Sequence, residues 1–381
     1  MKKLLALVMA LCMLLSAIPA LADVAEVVAE GESLTHDELL EKALAEEGTF
    51  IVYGNTSRIS TAAEAFGELY GLKVESNNLK DAEIYTKLES EITGSAKGAD
   101  MVMIQDGASL TYAIEDGWVV NYVPADLKGN IAEGDLFPLV HQYINKLFIY
   151  NNLGENVPAI KNVWELTAPE MKGNIIFKNP QNETVNMNFL VMLTSEEWSA
   201  KLAEAYKSWK GEEIDLGSYE NAGYKWIAEF LSNCTFGSSD TTIAEEVSQE
   251  TAAGKIGLFV LSKLRSSSVF TDNLTVAQYD ASENGYAVEP FSGFMYPMYA
   301  MVSAGATRPY TAMLFIEYLM TDEGFQPWGK NIGAYSPNTA IPAKEGDLSI
   351  DVWKDTLVME DAEFILDHFE DVNSFVLKYI Q

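Results

Sequence analysis

The stretch Thr49–Phe66, TFIVYGNTSRISTAAEAF, constrains the fold more than any other part of the chain. Phe50, Ile51, Val52 and Tyr53 have the branched and aromatic side chains of a buried strand, and they run directly into the turn-forming Gly54-Asn55-Thr56-Ser57. An alanine-rich amphipathic segment follows at once. A strand, a polar loop and a helix start in this order define an α/β unit whose loop lies at the carboxyl edge of the strand. Backbone N–H groups in the first turn of such a helix can hold a polar or anionic group. Asn55, Thr56, Ser57 and Arg58 are therefore expected to form one jaw of a cleft that catches a small solute.

The same order recurs along the chain. Ala99–Ile104 is a nearly continuous apolar strand, as expected when both faces are covered, and it turns at Gln105-Asp106-Gly107 into a helix. Ile175-Ile176-Phe177 opens on a polar loop from Lys178 to Thr184, with Asn179, Gln181 and Asn182 inside it, before another helical run. Phe236-Gly237-Ser238-Ser239-Asp240-Thr241 precedes a further helix, and the buried strand Ile256–Leu261 ends in Ser262-Lys263. Strands alternating with helices of this length predict right-handed βαβ units around parallel sheets. The fold class expected is α/β with two lobes, each a mostly parallel sheet flanked by helices, joined by crossover strands.

At 381 residues the chain is long enough for two domains with cores of their own. Residues 1–22 read as a secretory leader: Lys2 and Lys3 are basic, Leu4–Leu15 is apolar, and Ala20-Leu21-Ala22 is a cleavage site, so the mature chain is expected to begin at Asp23. The apolar run is too short for a membrane span, which needs roughly 18 to 20 residues. Residues 23–34 read as an acidic tether, 35–150 as the first part of lobe 1, 151–274 as lobe 2 and 275–335 as a return to lobe 1. The helices of residues 336–381 would brace lobe 2. Cys12 sits in the leader after Leu11, where a lipid-anchor site would want a small residue, and cleavage leaves Cys234 without a disulfide partner.

The formal charge is −31, and removing a leader that carries two lysines and no carboxylate takes it to −33. Nucleic acid and anionic membrane surfaces need basic patches that such a surface does not supply. Arginine is scarce, at Arg58, Arg265 and Arg308 only.

Several pieces together resemble one family. They are Glu46-Glu47-Gly48 before Ile51-Val52-Tyr53, Gly98-Ala99-Asp100 leading to Gln105-Asp106, and Trp164-Glu165-Leu166 followed by Met171-Lys172-Gly173. Ala253–Leu258 and Ala312–Leu319 with Asp322-Glu323-Gly324 complete the set. The chain resembles an extracellular solute-binding protein of an ABC importer, in the branch with ferric-ion, sugar-phosphate and related small-solute binders. The resemblance covers nearly the whole mature chain. It implies two α/β lobes that close on one solute and a membrane permease as partner; the chain is further expected to be a monomer without cofactor. Ligand contact to both lobes would favour the closed state.

Ferric-binding members of that family end the strand equivalent to Gly257–Leu261 in two tyrosines, where this chain has Ser262 and Lys263. Their first loop often brings a histidine and a later one a glutamate, where this chain has Asn55-Thr56-Ser57 and Gln105-Asp106. Ferric ion needs anionic oxygen ligands, so bare iron fits poorly. Lys263 and Arg58, with Lys178 or Arg265, instead bring positive charge to cleft loops of an acidic protein. They suit a carboxylate or phosphate on the solute. The plain alternative is that Arg58 is a solvated first-turn residue and Lys263 a surface lysine. Arg58→Ala is expected to weaken an anionic ligand by about 1.5 to 3 kcal/mol in calorimetric titration, and unchanged affinity would remove Arg58 from the site.

Other readings compete. An exported hydrolase or lyase could share the fold. A polyamine or a ferric complex could be the ligand, and a cation would turn to Asp106, Glu183 and Asp240. Gly324–Asn331 imitates a phosphate loop but has Asn331 where magnesium needs a hydroxyl, and Pro327 inside it. Asp280–Gly285 imitates a calcium loop whose twelfth position is Phe291 in place of a glutamate. His36, His141 and His368 lie far apart, at no metal-ligand or triad spacing. Of the aromatics from Tyr286 to Tyr299 and Tyr335, Tyr335 is the one expected nearest the cleft, to stack on a flat solute.

Overall fold

The structure is a computed structural model that describes residues 24–94, 96–154, 160–265, 267–277 and 288–380. The leader and the calcium-loop imitation at 280–285 lie outside the described residues.

Helix α1 spans residues 24–31 and α2 His36–Ala45. Three strand–helix pairs follow: β1 (Phe50–Gly54) with α3 (Arg58–Tyr70), β2 (Val74–Asn78) with α4 (Asp81–Thr93), and β3 (Met101–Ile104) with α5 (Gly107–Glu115). After β4 (Val119–Val120) come the long β5 (Val140–Asn151), then β6 (Ile175–Lys178), α6 (Thr184–Met192), α7 (Glu196–Lys210) and α8 (Ala222–Asn233). Next are β7 (Cys234–Gly237), α9 (Asp240–Val247), β8 (Ile256–Val260), α10 (Ser268–Asn273), β9 (Leu274–Val276) and β10 (Gly293–Ser303). The chain closes with α11 (Pro309–Leu319), α12 (Asp322–Gly329), β11 (Ala334–Tyr335), α13 (Ile350–Thr356), β12 (Val358–Met359) and α14 (Ala362–Val376). The phosphate-loop imitation is α12, with Pro327 inside the helix.

Two compact units result. Of the described residues, unit 1 comprises those up to Tyr143, Pro297–Lys330 and Tyr335–Pro342, and unit 2 those of Ile144–Tyr296, Asn331–Ala334 and from Ala343 on. One change of unit falls inside β5, between Tyr143 and Ile144, and another inside β10, between Tyr296 and Pro297. Both strands run on without a break, and only Pro297 in β10 stands at such a place.

In unit 1, β2, β1 and β3 are parallel neighbours with β1 between, and β10 runs antiparallel to β3 from Tyr299↔Ile104 to Val302↔Met101. Phe50 of β1, Phe66 of α3 and Phe315 of α11 meet at ring-centroid distances of 4.9 to 6.1 Å in the core. Asp100 is fully buried and acts as a polar rivet. Its carboxylate accepts N–H bonds from Ile51 (2.9 Å), Thr307 (2.7 Å) and Arg308 (3.0 Å), and the Thr307 hydroxyl at 3.1 Å. Arg308, also buried, reaches the carbonyls of Gly48 (3.1 Å) and Glu46 (3.2 Å). The Glu46 carboxylate in turn takes the N–H groups of Tyr310 and Thr311 in the first turn of α11, where otherwise unpaired donors need an acceptor.

One local expectation is corrected here. Residues 24–31 are a helix, not a tether: Val24 and Val28 are buried, and Glu30 pairs with Lys42 (2.9 Å) and accepts from the Tyr310 hydroxyl (2.9 Å). Small and acidic residues without Gly or Pro suit a helix as well as a linker, and the apolar spacing of Val24 and Val28 decides it. Helix α3 starts at Arg58, directly after the polar loop. Ser57 stands at its N-cap without a side-chain bond.

In unit 2, β6 lies between β7 and β8, all three parallel, and β5 runs antiparallel to β8. The strands central to each unit are thus parallel, and β5 and β10 pair antiparallel to them. Phe177, Trp226, Phe230 and Phe148 pack against one another in the unit 2 core, with the Trp226 and Phe230 rings stacked at 4.4 Å. Helix α14 packs on α6.

Candidate functional site

Because β6, β7 and β8 are parallel, their ends at Lys178, Gly237 and Val260 fall on one edge of the unit 2 sheet. Two helices start there. Glu183 is the N-cap residue of α6, and Ser239 caps α9, its hydroxyl accepting the Thr242 N–H at 3.1 Å. Asp240, the first residue of α9, accepts the Val260 N–H at 3.2 Å and so ties that helix to the end of β8. Ser262 and Lys263 follow in a short helical turn.

Beneath this edge lies Lys146 of β5, 0% exposed. Its ammonium sits 2.9 Å from Glu183 Oε2, 2.8 Å from Asn186 Oδ1 and 3.6 Å from Asp240 Oδ1. Lys178 pairs with the same Glu183 oxygen and stands 3.6 Å from Asp240 Oδ2. Asn186 closes the network by donating to the Lys178 carbonyl at 3.0 Å. Two ammoniums and two carboxylates therefore alternate around one point.

Burial penalises the Lys146 ammonium, yet Asp240 and Glu183 outweigh it and hold the pKa above the ordinary lysine value. Burial likewise works against the Asp240 carboxylate, and Lys146, Lys178, the Val260 N–H and Lys263 together keep its pKa below the usual range. Both directions say that the groups are charged at neutral pH. Lys263 adds a third positive charge facing Asp240.

The carboxyl edge of unit 1 is built differently. Asn55 follows β1 and donates to both oxygens of Asp81, at 2.9 and 3.0 Å, and the Gln105 N–H reaches the same carboxylate at 3.1 Å. The buried Oδ1 of Asn55 finds no hydrogen-bond partner among the described residues. Asp106 caps α5 through the N–H (3.3 Å) and hydroxyl (2.5 Å) of Ser109, and its carbonyl accepts from the Tyr85 hydroxyl at 3.0 Å. Gly107 lets Tyr299 approach: a Cβ there would stand 2.8 Å from the Tyr299 hydroxyl.

The loops named from sequence thus meet at the edges, but individual side chains diverge. In unit 1, Asn55, Gln105 and Asp106 come together through Asp81 and Tyr85; Thr56 turns to the Arg58 N–H (3.3 Å), Ser57 is exposed, and Arg58 is half-buried in the first turn of α3. In unit 2, Thr184, Ser239, Asp240, Ser262 and Lys263 gather around the three strand ends, with Ser238 exposed beside the Thr242 hydroxyl. Asn179 forms a local turn with the Gln181 N–H (2.9 Å), Asn182 is exposed, and the Gln181 side chain binds Asn373 of α14 at 2.7 Å. Tyr335 is 2% exposed in β11, paired with β5, and its ring is not presented as a stacking surface.

Sequence reasoning missed Lys146, Asn186, Asp81 and Tyr85. A signal for the first existed: His141, Gln142, Asn145, Lys146 and Asn151 are five polar residues in a largely apolar strand, and all five are 0% exposed. His141 packs against Phe325 and Trp328, with burial pushing its pKa down to about 3. Among the described residues no group of three or more His, Cys, Asp and Glu could hold a metal ion, and no helix is long and apolar enough to cross a membrane. A surface cavity of about 470 Å³ between α7 and α8, and one of about 490 Å³ along α3 and β2, contain none of the expected site residues.

Solved structures share this fold at low sequence identity. The ferric binding protein from Campylobacter jejuni aligns over 87% of this chain and 99% of its own at 15% identity and a TM-score of 0.63. Iron-bound HitA from Pseudomonas aeruginosa covers 88% of this chain and 100% of its own, at 13% identity and a TM-score of 0.65. An ABC transporter from Clostridium perfringens covers 87% and 100%, at 12% identity and a TM-score of 0.59. The likeness places the chain in the two-lobed periplasmic-binding-protein fold. A search of curated protein sequences finds no match. The family model for bacterial extracellular solute-binding proteins matches residues 61–360, well over half the chain, and the chain belongs to that family.

Proposed function

We propose that this solute-binding component of an ABC importer carries a small polar anion, such as a phosphorylated sugar or an organic acid. The pairing at the unit 2 edge carries this reading: Lys146 and Lys178 neutralise Glu183 and Asp240 where the first turns of two helices open, in a protein of net charge −31. Lys146 and Lys178 are engaged by Glu183 and Asp240, so those two carboxylates are neutralised within the network. The first turns of α6 and α9 add N–H donors and the hydroxyls of Thr184 and Ser239, a set suited to phosphate or carboxylate oxygens. The protein acts as a monomer, exported with cleavage near Ala22, and passes the solute unchanged to its membrane permease.

A melting-shift screen tests the reading. A ligand bound only by the native state adds about 2.7 kcal/mol of stability at 100 times its Kd. Sugar phosphates, organic acids, polyamines and anionic ferric complexes are compared, and each hit is assayed for turnover. One anionic class is expected to raise the melting temperature and to be recovered intact. A shift with polyamines alone overturns the anion assignment, and conversion of the hit overturns the binding role.

A further inference from the structure

We propose that Lys146 and Lys178 form a built-in cation block: they occupy the carboxylates of the unit 2 edge, deny that edge to metal ions and polyamines, and so fix the charge of the solute it accepts. The inference deepens the functional reading and rests on it.

Three oxygens surround the Lys146 ammonium: Glu183 Oε2 at 2.9 Å, Asn186 Oδ1 at 2.8 Å and Asp240 Oδ1 at 3.6 Å. Two carboxylates and an amide oxygen around one buried point are the donor set that a hard cation takes. Here that point is filled by a covalently tethered ammonium. Lys146 is fully buried, and no solute touches it directly; it acts by neutralising Glu183 and Asp240 from beneath. Lys178, at 15% side-chain exposure, closes the same carboxylates from the outer side. Without the two lysines, Glu183 and Asp240 would lose the ammoniums that neutralise them. The edge would then repel anions and attract cations.

Terbium(III) is a suitable probe, because Tyr296 lies 5.9 Å from the Lys146 ammonium and would sensitise the luminescence of an ion placed there. The mature chain and its Lys146→Met, Lys178→Met and doubly substituted variants are titrated with terbium, each with and without Glu183→Gln. Wild type is expected to show no emission that depends on Glu183. The double variant is expected to bind one terbium ion at least about tenfold more tightly, with the gain abolished by Glu183→Gln, as removal of two adjacent positive charges requires. Lys178→Met alone, at a site less buried and less prone to misfold, is expected to give an intermediate gain of about threefold.

Glu183-dependent terbium emission in wild type overturns the block. So does a Lys178→Met chain that melts cooperatively yet shows no gain. Wild-type affinity for organic acids and sugar phosphates, measured in parallel, reports on the functional reading separately: anion binding can fail while the terbium gain stands, and the reverse.

Discussion

Lys146→Met is expected to destabilise unit 2 by about 3 to 5 kcal/mol, the usual cost of removing one partner from a buried ion pair. The cost arises because Asp240 and Glu183 keep their burial and lose the ammonium at their centre. The pH dependence follows from the signs. Asp240 has a pKa below its ordinary 3.8, so its contribution is present above that value and is lost as pH falls through the lower folded value. Lys146 has a pKa above its ordinary 10.5, so its contribution is present below that value and is lost as pH rises through the higher folded value. The gap between wild type and variant should therefore be full between 3.8 and 10.5 and shrink outside that window. Urea unfolding at several pH values measures it. A variant as stable as wild type at neutral pH would mean that the ion network contributes nothing.

Asp100→Ala is expected to be comparably severe in unit 1. It strands the buried backbone N–H of Arg308 and the part-buried N–H groups of Ile51 and Thr307, and frees the Thr307 hydroxyl. At about 1 to 3 kcal/mol for each unsatisfied buried donor, partly relieved by water, a loss of about 3 to 5 kcal/mol is reasonable. Asp100→Asn keeps one acceptor oxygen and should cost less, about 1 to 3 kcal/mol. Chemical denaturation of both variants checks the order. A loss under about 1 kcal/mol for Asp100→Ala would show that other contacts hold β1, β3 and the start of α11 together.

What the sequence made legible was the strand–loop–helix grammar. Phe50–Tyr53 and Met101–Ile104 announce buried strands, and parallel pairing then brings the polar turns after them to one edge without further information. Side-chain destinations were less legible. Asn55 and Asp106 are polar loop residues, as expected of ligand contacts, yet both make internal bonds with partners distant in sequence or at helix caps. Gln181 follows a predicted strand and still points to α14, because nothing local reveals where the C-terminal helix will lie. Lys146 was hidden for the opposite reason. A lysine inside an apolar strand makes sense only once Glu183, Asn186 and Asp240, dozens of residues away, are seen around it. The unit boundaries inside β5 and β10 were hidden because strand periodicity carries no mark of which core a residue joins.

The most direct measurement is a crystal structure of the mature protein with the solute that gives the largest melting shift. The account predicts an anionic group within hydrogen-bonding distance of Lys263 and of N–H groups in the first turn of α6 or α9. A solute held instead between α7 and α8, or a cation bound against Glu183 and Asp240, would contradict it.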